Sequence, residues 1–331
     1  MLKTKINLIK RINFKIFSNL LKIFKPINEL YFNIWGNKKC KFPPIFIVGA
    51  PRTGSTLVYQ CITNYYNIFY ISNFSSFFYH SILIGSFLNH LIYKNKPHNS
   101  FKSRFGITFG LNSPSECGHF WYRWFPKNKS FTKYDDISKM KLLKIYKIIS
   151  IITNTISKPI IFKNLNNSNR IKIFKEIFPD ALFIFIKRKP LFTAQSILKS
   201  RLDYYGRKDI WFSVFPNDMN KLRNLDYPEQ IVKQIFYIEK QIYEDLSELY
   251  PNQWIKISYE KFCDNCIQEM IRIKKFFLKN GLLIYERNGA SLPNLNFNNN
   301  IKVSQYDYIL LKKEVEKLDW IKYTNFNNGS N

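Results

Sequence analysis

The residues Gly49-Ala50-Pro51-Arg52-Thr53-Gly54-Ser55-Thr56 could do chemistry, because of what flanks them. Four apolar residues, Ile45 to Val48, come before, and a helix-forming run begins at Ser55. This order predicts a buried strand, a tight glycine turn and the first turn of a helix. Backbone N–H groups then converge on one point, and the helix N-terminus adds about half a positive charge, so the point suits a phosphate. The spacing from Gly49 to Gly54 to Ser55-Thr56 overlays the ATP-binding loop with one difference. Ser55 stands where that loop has its lysine, and the basic residue comes earlier, at Arg52. A Mg-ATP enzyme does not build its loop this way. A plain strand-to-helix turn is the alternative without chemistry.

Pro51 to Thr56 resembles the 5′-phosphosulfate loop of the sulfotransferases that use 3′-phosphoadenosine 5′-phosphosulfate (PAPS). A second segment carries the resemblance further. Phe178 to Pro190 ends in Lys187-Arg188-Lys189-Pro190 and is followed by Ala194, Ser196 and Arg201. This is similar to the family's 3′-phosphate segment, a strand ending in Arg-Asp-Pro with a serine eight residues after the arginine. Here Lys189 replaces the Asp. The resemblance runs from about Phe42 to Leu278 and is weak on either side.

The resemblance implies that Arg52, Thr53, Gly54, Ser55 and Thr56 hold the phosphosulfate of PAPS, and that Arg188 and Ser196 hold its 3′-phosphate. On its own, Arg188 would be a surface charge after a strand. Tyr259, in Ser258-Tyr259-Glu260-Lys261, resembles a family tyrosine near the adenine, or is a core residue. Lys302, past the Asn-rich loop, either closes over the 3′-phosphate as the family's C-terminal loop does or, with no glycine pattern to support that, is a solvated lysine. Transfer needs a base for the acceptor hydroxyl and positive charge for the leaving phosphate. The cytosolic branch carries its base in Lys-Thr-His after a strand, and here that place reads Phe162-Lys163-Asn164-Leu165. Lys163 either stabilises the transferring group or is an ordinary surface lysine. Pro114-Ser115-Glu116 resembles the Pro-x-Glu stretch of the carbohydrate and bacterial types, making Glu116 the candidate base, with His119 second. Apolar neighbours around Glu116 would raise its pKa. The chemistry requires no metal, and no metal-ligand cluster is visible.

These residues need a frame. Short apolar strands are expected at Ile45–Val48, Ile68–Ile71, Pro159–Phe162, Leu182–Ile186 and Trp254–Ser258. Helices are expected at Ser55–Tyr65, Lys139–Ile156, Asn169–Ile177, Leu191–Ser200, Pro228–Tyr250 and about Tyr308–Trp320. The alternation argues for an α/β fold, a P-loop-like doubly wound parallel sheet flanked by helices, with ligands at the strand C-termini. Asn288–Asn300 reads as a loop. The organisation is a basic amphipathic leader over residues 1–41 and one sulfotransferase-like domain over 42–331.

Among the 331 residues, 51 Lys and Arg against 23 Asp and Glu give a net charge of +28. This favours anionic partners, although richness in Lys, Asn, Ile and Phe throughout is what an AT-rich coding sequence produces. No nucleic-acid motif accompanies the charge, so a nucleic-acid partner is not expected. Five cysteines, including the lone pair Cys263 and Cys266, make no disulfide framework and fit a reducing, cytoplasmic setting. The first 41 residues hold ten basic side chains against Glu29 alone. Leu2, Ile6, Ile9, Ile16, Leu20, Ile23 and Ile27 recur near helical spacing, predicting a basic amphipathic helix that stops around Pro26. It is either an interfacial membrane contact through residues 1–27 or a helix packed on its own domain. From Thr53 to Tyr93 no residue is charged, but polar residues through it favour a core helix over a membrane span.

The acceptor is a hydroxyl, with a carbohydrate or glycolipid favoured. The segment after Arg201, with Tyr204, Tyr205, Arg207, Trp211, Phe212 and Phe215, offers aromatic faces and a cation. The competing readings are a P-loop kinase of a small molecule and a non-catalytic nucleotide- or anion-binding protein on the same fold.

Overall fold

A computed structural model describes residues 14–35, 38–126, 130–217, 219–297 and 300–320. Five parallel strands form the central sheet: β1 (Ile45–Val48), β2 (Phe69–Tyr70), β5 (Ile160–Lys163), β6 (Leu182–Lys187) and β7 (Trp254–Ser258), in the order β2-β5-β1-β6-β7. A separate hairpin pairs β3 (Ser103–Arg104) with β4 (Ile107–Thr108). All five expected strands are present, three of them with ends moved by one residue. The helices Ser55–Tyr65 and Lys139–Ile156 have the expected bounds.

The strands are apolar along their length because both faces are covered. On one face Phe46 of β1 stacks between its register partners Phe162 and Phe183, 5.6 Å from each, and against Phe174 at 4.1 Å. Helices Lys139–Ile156, Ile171–Ile177, Pro190–Tyr205 and Tyr227–Ser247 cover that face. The other face is aliphatic, with Ile45, Ile47, Ile161, Ile184 and Ile186 under helices Ser55–Tyr65 and Cys266–Lys279. The period of two along each strand thus sorts Phe to one layer and Ile to the other.

The chain leaves β1 toward β2 on one side, and the later strand β6 lies on the other. The switch in direction falls beside β1, and the crevice at its C-terminal end is where ligands of such sheets bind. The loop after β1, Lys163 at the end of β5 and Arg188 just past β6 all meet there.

The amino-terminal helix departs from expectation. Residues 14–20 are helical, Leu21–Phe24 tighten to a 3-10 turn, and Lys25–Trp35 continue as α-helix. Pro26 does not stop the helix. It sits in the first turn of the α-helical segment, where its missing N–H costs nothing. Leu2, Ile6 and Ile9 lie outside the described residues. The uncharged stretch before Tyr93 divides into helices Asn73–Phe77 and Ile82–Tyr93. Among the described residues no helix is long and apolar enough to cross a membrane.

Candidate active site

Gly49 and Gly54 are fixed for different reasons. A Cβ on Gly49 would lie 2.7 Å from the Ile186 carbonyl oxygen of β6, so only glycine lets the loop leave β1 at this place. The Ser168 hydroxyl braces that residue, bonding its N–H and its carbonyl at 3.0 Å each. Gly54 has φ +88° and opens helix Ser55–Tyr65. The ring of Tyr259 lies against it so closely that a Cβ there would come within 2.1 Å of a ring carbon. Arg52 also takes a left-handed conformation, φ +67°, which is uncommon for a residue with a side chain. The Gly54 carbonyl accepts from the N–H groups of Leu57 and Val58. The amides ahead of Leu57 belong to the helix start, which has no acceptors of its own to offer them. Thr53 is buried and its hydroxyl donates to the Ala50 carbonyl at 2.9 Å, bracing the turn. Ser55 is buried at the first position of the helix.

The second motif meets the first through hydrogen bonds. Arg52 Nε donates to Ser196 Oγ at 3.0 Å, and an Arg188 terminal nitrogen donates to the Arg52 carbonyl at 3.2 Å. The Arg188 guanidinium sits 4.8 Å above the Tyr259 ring. Tyr259 is therefore half-buried between the loop and Arg188 rather than part of the core. Glu260 accepts from the Lys189 N–H at 2.9 Å and from Ser258 Oγ at 3.0 Å. It secures the turn whose usual aspartate is missing.

The cations outnumber the acids here. Burial lowers the Arg52 pKa, and Arg188 lowers it further. Burial likewise lowers Lys302, followed by Arg188 and Arg52. The exposed Lys302 is thus solvated, but its ammonium shares the field of both arginines. Its own N–H is held by Gln195 Oε1 at 3.0 Å. Arg188 Nε is buried and has no hydrogen-bond partner among the described residues. Like charges assembled around a buried, unused donor fit a dianionic group such as a phosphate.

Glu116 and Lys163 complete the crevice. Lys163 is 2 % exposed, which rules out a surface lysine. Its ammonium bonds the Glu116 carboxylate and donates to Thr56 Oγ1 at 3.1 Å. Gly106 also lies against the carboxylate. A Cβ on Gly106 would come within 2.6 Å of Glu116 Oε1. Asn164 Nδ2 donates to the Glu116 carbonyl at 3.1 Å, fixing the backbone below the carboxylate. The His119 ring stacks on Tyr79 at 5.1 Å and on Phe14 at 5.2 Å.

Sequence reasoning missed the β3–β4 hairpin. Its two-residue turn, Phe105-Gly106, has φ +50° and +84°, the type I′ geometry that twisted strands prefer. Phe105 faces the Arg52 guanidinium at 5.9 Å and makes edge contacts with Tyr204 at 5.7 Å and Phe212 at 6.0 Å. The turn thus joins the loop after β1 to the aromatic segment after Arg201. Arg207 points elsewhere, pairing with Asp209 on the surface. A two-residue strand on each side leaves only Gly106 as a signal in the sequence, which is too little to place a hairpin. All five cysteines are free. No group of His, Cys, Asp and Glu among the described residues has the make-up of a metal site.

Comparison with curated proteins finds no significant match. Among solved structures, the sulfotransferase STF1 of Mycobacterium tuberculosis is similar at 11 % identity and a TM-score of 0.52, covering 88 % of this chain and 81 % of that one. The sulfotransferase STF9 of Mycobacterium avium aligns at 12 % identity and a TM-score of 0.45, covering 86 % of this chain and 69 % of that one. At such identities the likeness to STF1 speaks for the fold alone. The family is fixed by sequence: a model described as the sulfotransferase family matches residues 43–278, a span that holds both motifs, Glu116 and Lys163. The chain therefore belongs to the sulfotransferase family, and its activity is sulfuryl transfer.

Proposed function

We propose that the protein transfers a sulfuryl group from PAPS to a hydroxyl of a carbohydrate or glycolipid, with Glu116 as the base. One observation carries this reading. The Glu116 carboxylate, the Lys163 ammonium and the Thr56 hydroxyl of the phosphate loop form one connected set. A base for the acceptor, a cation for the moving charge and the donor loop are thus joined by direct contacts.

PAPS, when bound, supplies a sulfuryl group whose leaving group is a phosphate. The loop amides and Arg52 suit the phosphosulfate, and Arg188, Ser196 and Lys302 suit the 3′-phosphate. Tyr259, lying between Gly54 and Arg188, offers a ring face beside both. Glu116 takes the proton from the acceptor oxygen as that oxygen bonds to sulfur. The sulfur–oxygen bond to the phosphate breaks, and its electron pair stays on the phosphate oxygen. Lys163 and Arg52 stabilise the charge that collects there. As Glu116 gains the proton, its hold on Lys163 weakens, which leaves the ammonium for the donor side. Phe105, Tyr204 and Phe212 give the acceptor apolar faces of the kind that stack on sugar rings.

The test is transfer of labelled sulfate from PAPS to a panel of sugars, glycolipids and phenols. Glu116→Gln keeps the shape of the side chain and should lose at least about 100-fold in turnover, the scale of one general base. Binding of the product nucleotide, 3′-phosphoadenosine 5′-phosphate (PAP), should persist, read by thermal shift. Stabilisation by Mg-ATP without stabilisation by PAP would overturn the reading in favour of a kinase. No transfer to any acceptor, with PAP still bound, would favour a binding protein on this fold.

A further inference from the structure

The outer face of the amino-terminal helix is apolar where a protein surface should be polar. Ile16, Leu20, Ile23, Ile27, Leu30 and Ile34 follow one another at steps of four and three, one stripe down the helix. All six are exposed, between 42 % and 74 %. The adjoining face is already used. Phe14 and Phe17 pack on Phe77, Phe24 on Phe78 and Tyr31 on Phe87, with Ser18 and Asn28 buried beneath. The stripe therefore is not the core face of a helix turned the wrong way. It is a second apolar face on a helix whose first is satisfied.

Two neighbouring helices carry exposed apolar residues as well. Ile82–Tyr93, which meets the helix through Phe87, leaves Leu91 and Ile92 exposed. Lys139–Ile156, whose Lys147 ammonium sits 5.8 Å from the Phe32 ring, leaves Met140 and Leu143 exposed. Lys15, Lys22 and Lys25 on the same helix are exposed, as are Lys139, Lys141 and Lys144 next to Met140 and Leu143. Glu29 is the one acid in the sequence of these three helices. Its field reaches Arg123 and supports that guanidinium's charge.

We propose that this three-helix face docks the protein on an anionic lipid bilayer, with the Ile/Leu stripe entering the headgroup boundary and the lysines meeting lipid phosphates and carboxylates. Charge selects this occupant. A second copy of the chain would bring +28 against +28, whereas an anionic surface attracts each lysine. An apolar stripe together with exposed lysines is the make-up of a helix lying in the membrane interface. The first described turn of the helix also touches the segment that carries Glu116. Phe14 stacks on His119, three residues from Glu116. A docked protein would hold that side of the site near the lipid. This orientation, unlike the docking itself, rests on the role proposed for Glu116.

Co-sedimentation of the full chain with vesicles tests the proposal. Phosphatidylcholine vesicles containing about a third phosphatidylserine should bind the protein, and pure phosphatidylcholine should bind it far less. Rising salt should weaken the binding. Ile23→Asp with Leu30→Asp, both exposed, should lower affinity at least about tenfold. Lys22→Ala with Lys25→Ala should lower it about 25-fold, roughly fivefold for each lysine. The stabilisation of both variants by PAP should equal that of the unaltered protein, showing that the site is intact. Failure of the unaltered protein to bind anionic vesicles overturns the proposal. So does a dimer in solution that dissociates on Ile23→Asp, which would give the stripe to a second copy. Loss of PAP binding in every form would defeat the PAPS reading while leaving the vesicle result to stand.

Discussion

The contact between Gly54 and Tyr259 gives the sharpest test of how the donor crevice is built. Gly54→Ala adds one methyl group at a residue with φ +88°, and that methyl would fall 2.1 and 2.2 Å from two ring carbons of Tyr259. Two costs follow. An alanine in the left-handed region costs about 1–2 kcal/mol. Overpacking against the ring costs about 1–3 kcal/mol more, because the ring must move and the Arg188 guanidinium lies 4.8 Å from it. The sum, about 2–5 kcal/mol, corresponds to a fall in Tm of roughly 3–7 °C for a chain of this length. Displacing the ring also shifts Arg188, so PAP should bind at least about tenfold more weakly. The assay is a double-mutant cycle in thermal and PAP-binding measurements, with Tyr259→Ala as the second change. Removing the ring removes the overpacking but not the backbone cost. The double variant should thus be more stable than the sum of the single effects predicts, by about 1–3 kcal/mol. Additive effects would refute the ring-on-loop packing. A Gly54→Ala protein with unaltered Tm would refute the left-handed turn as well.

Two further outcomes follow from the same geometry. Arg188→Ala removes one charge-assisted partner, worth about 1.5–3 kcal/mol, and should weaken PAP binding about 10–150-fold, measured by calorimetry, with a small change in Tm. Glu239 is buried on helix Tyr227–Ser247 and faces Lys187 at 3.4 Å; burial raises its pKa to about 7, against the pull of that ammonium. The folded protein holds the proton to higher pH than the unfolded chain, so stability should fall as pH rises from about 4.5 to 7. Glu239→Gln should remove this slope and, at pH 8, add up to about 3 kcal/mol, read from denaturant unfolding across pH.

The order of elements was legible because the signals are local. Ile45–Val48 and Ser55–Tyr65 needed only an apolar run, two glycines and a helical period. The turn between them was equally readable, since its residues are consecutive in the chain. Pro26 misled because a proline that ends one helix and a proline that begins the next look alike without the backbone on either side. The Phe105-Gly106 hairpin was invisible because paired strands of two residues have no period to read.

By itself the sequence determined the family, the sheet and the residues able to face a phosphate, for each of these depends on neighbours along the chain. Only the tertiary structure decided which of them meet. Nothing in the chain between Glu116 and Lys163, 47 positions apart, announces that their charges touch, and Arg52 is 144 residues from the serine it bonds. The order of the strands brings them together: β5 and β6 lie on either side of β1, so their ends converge on the loop that β1 releases. The same packing hides one face of the amino-terminal helix and leaves the other exposed. A helical period alone could not tell these faces apart, because apolar residues repeat on both.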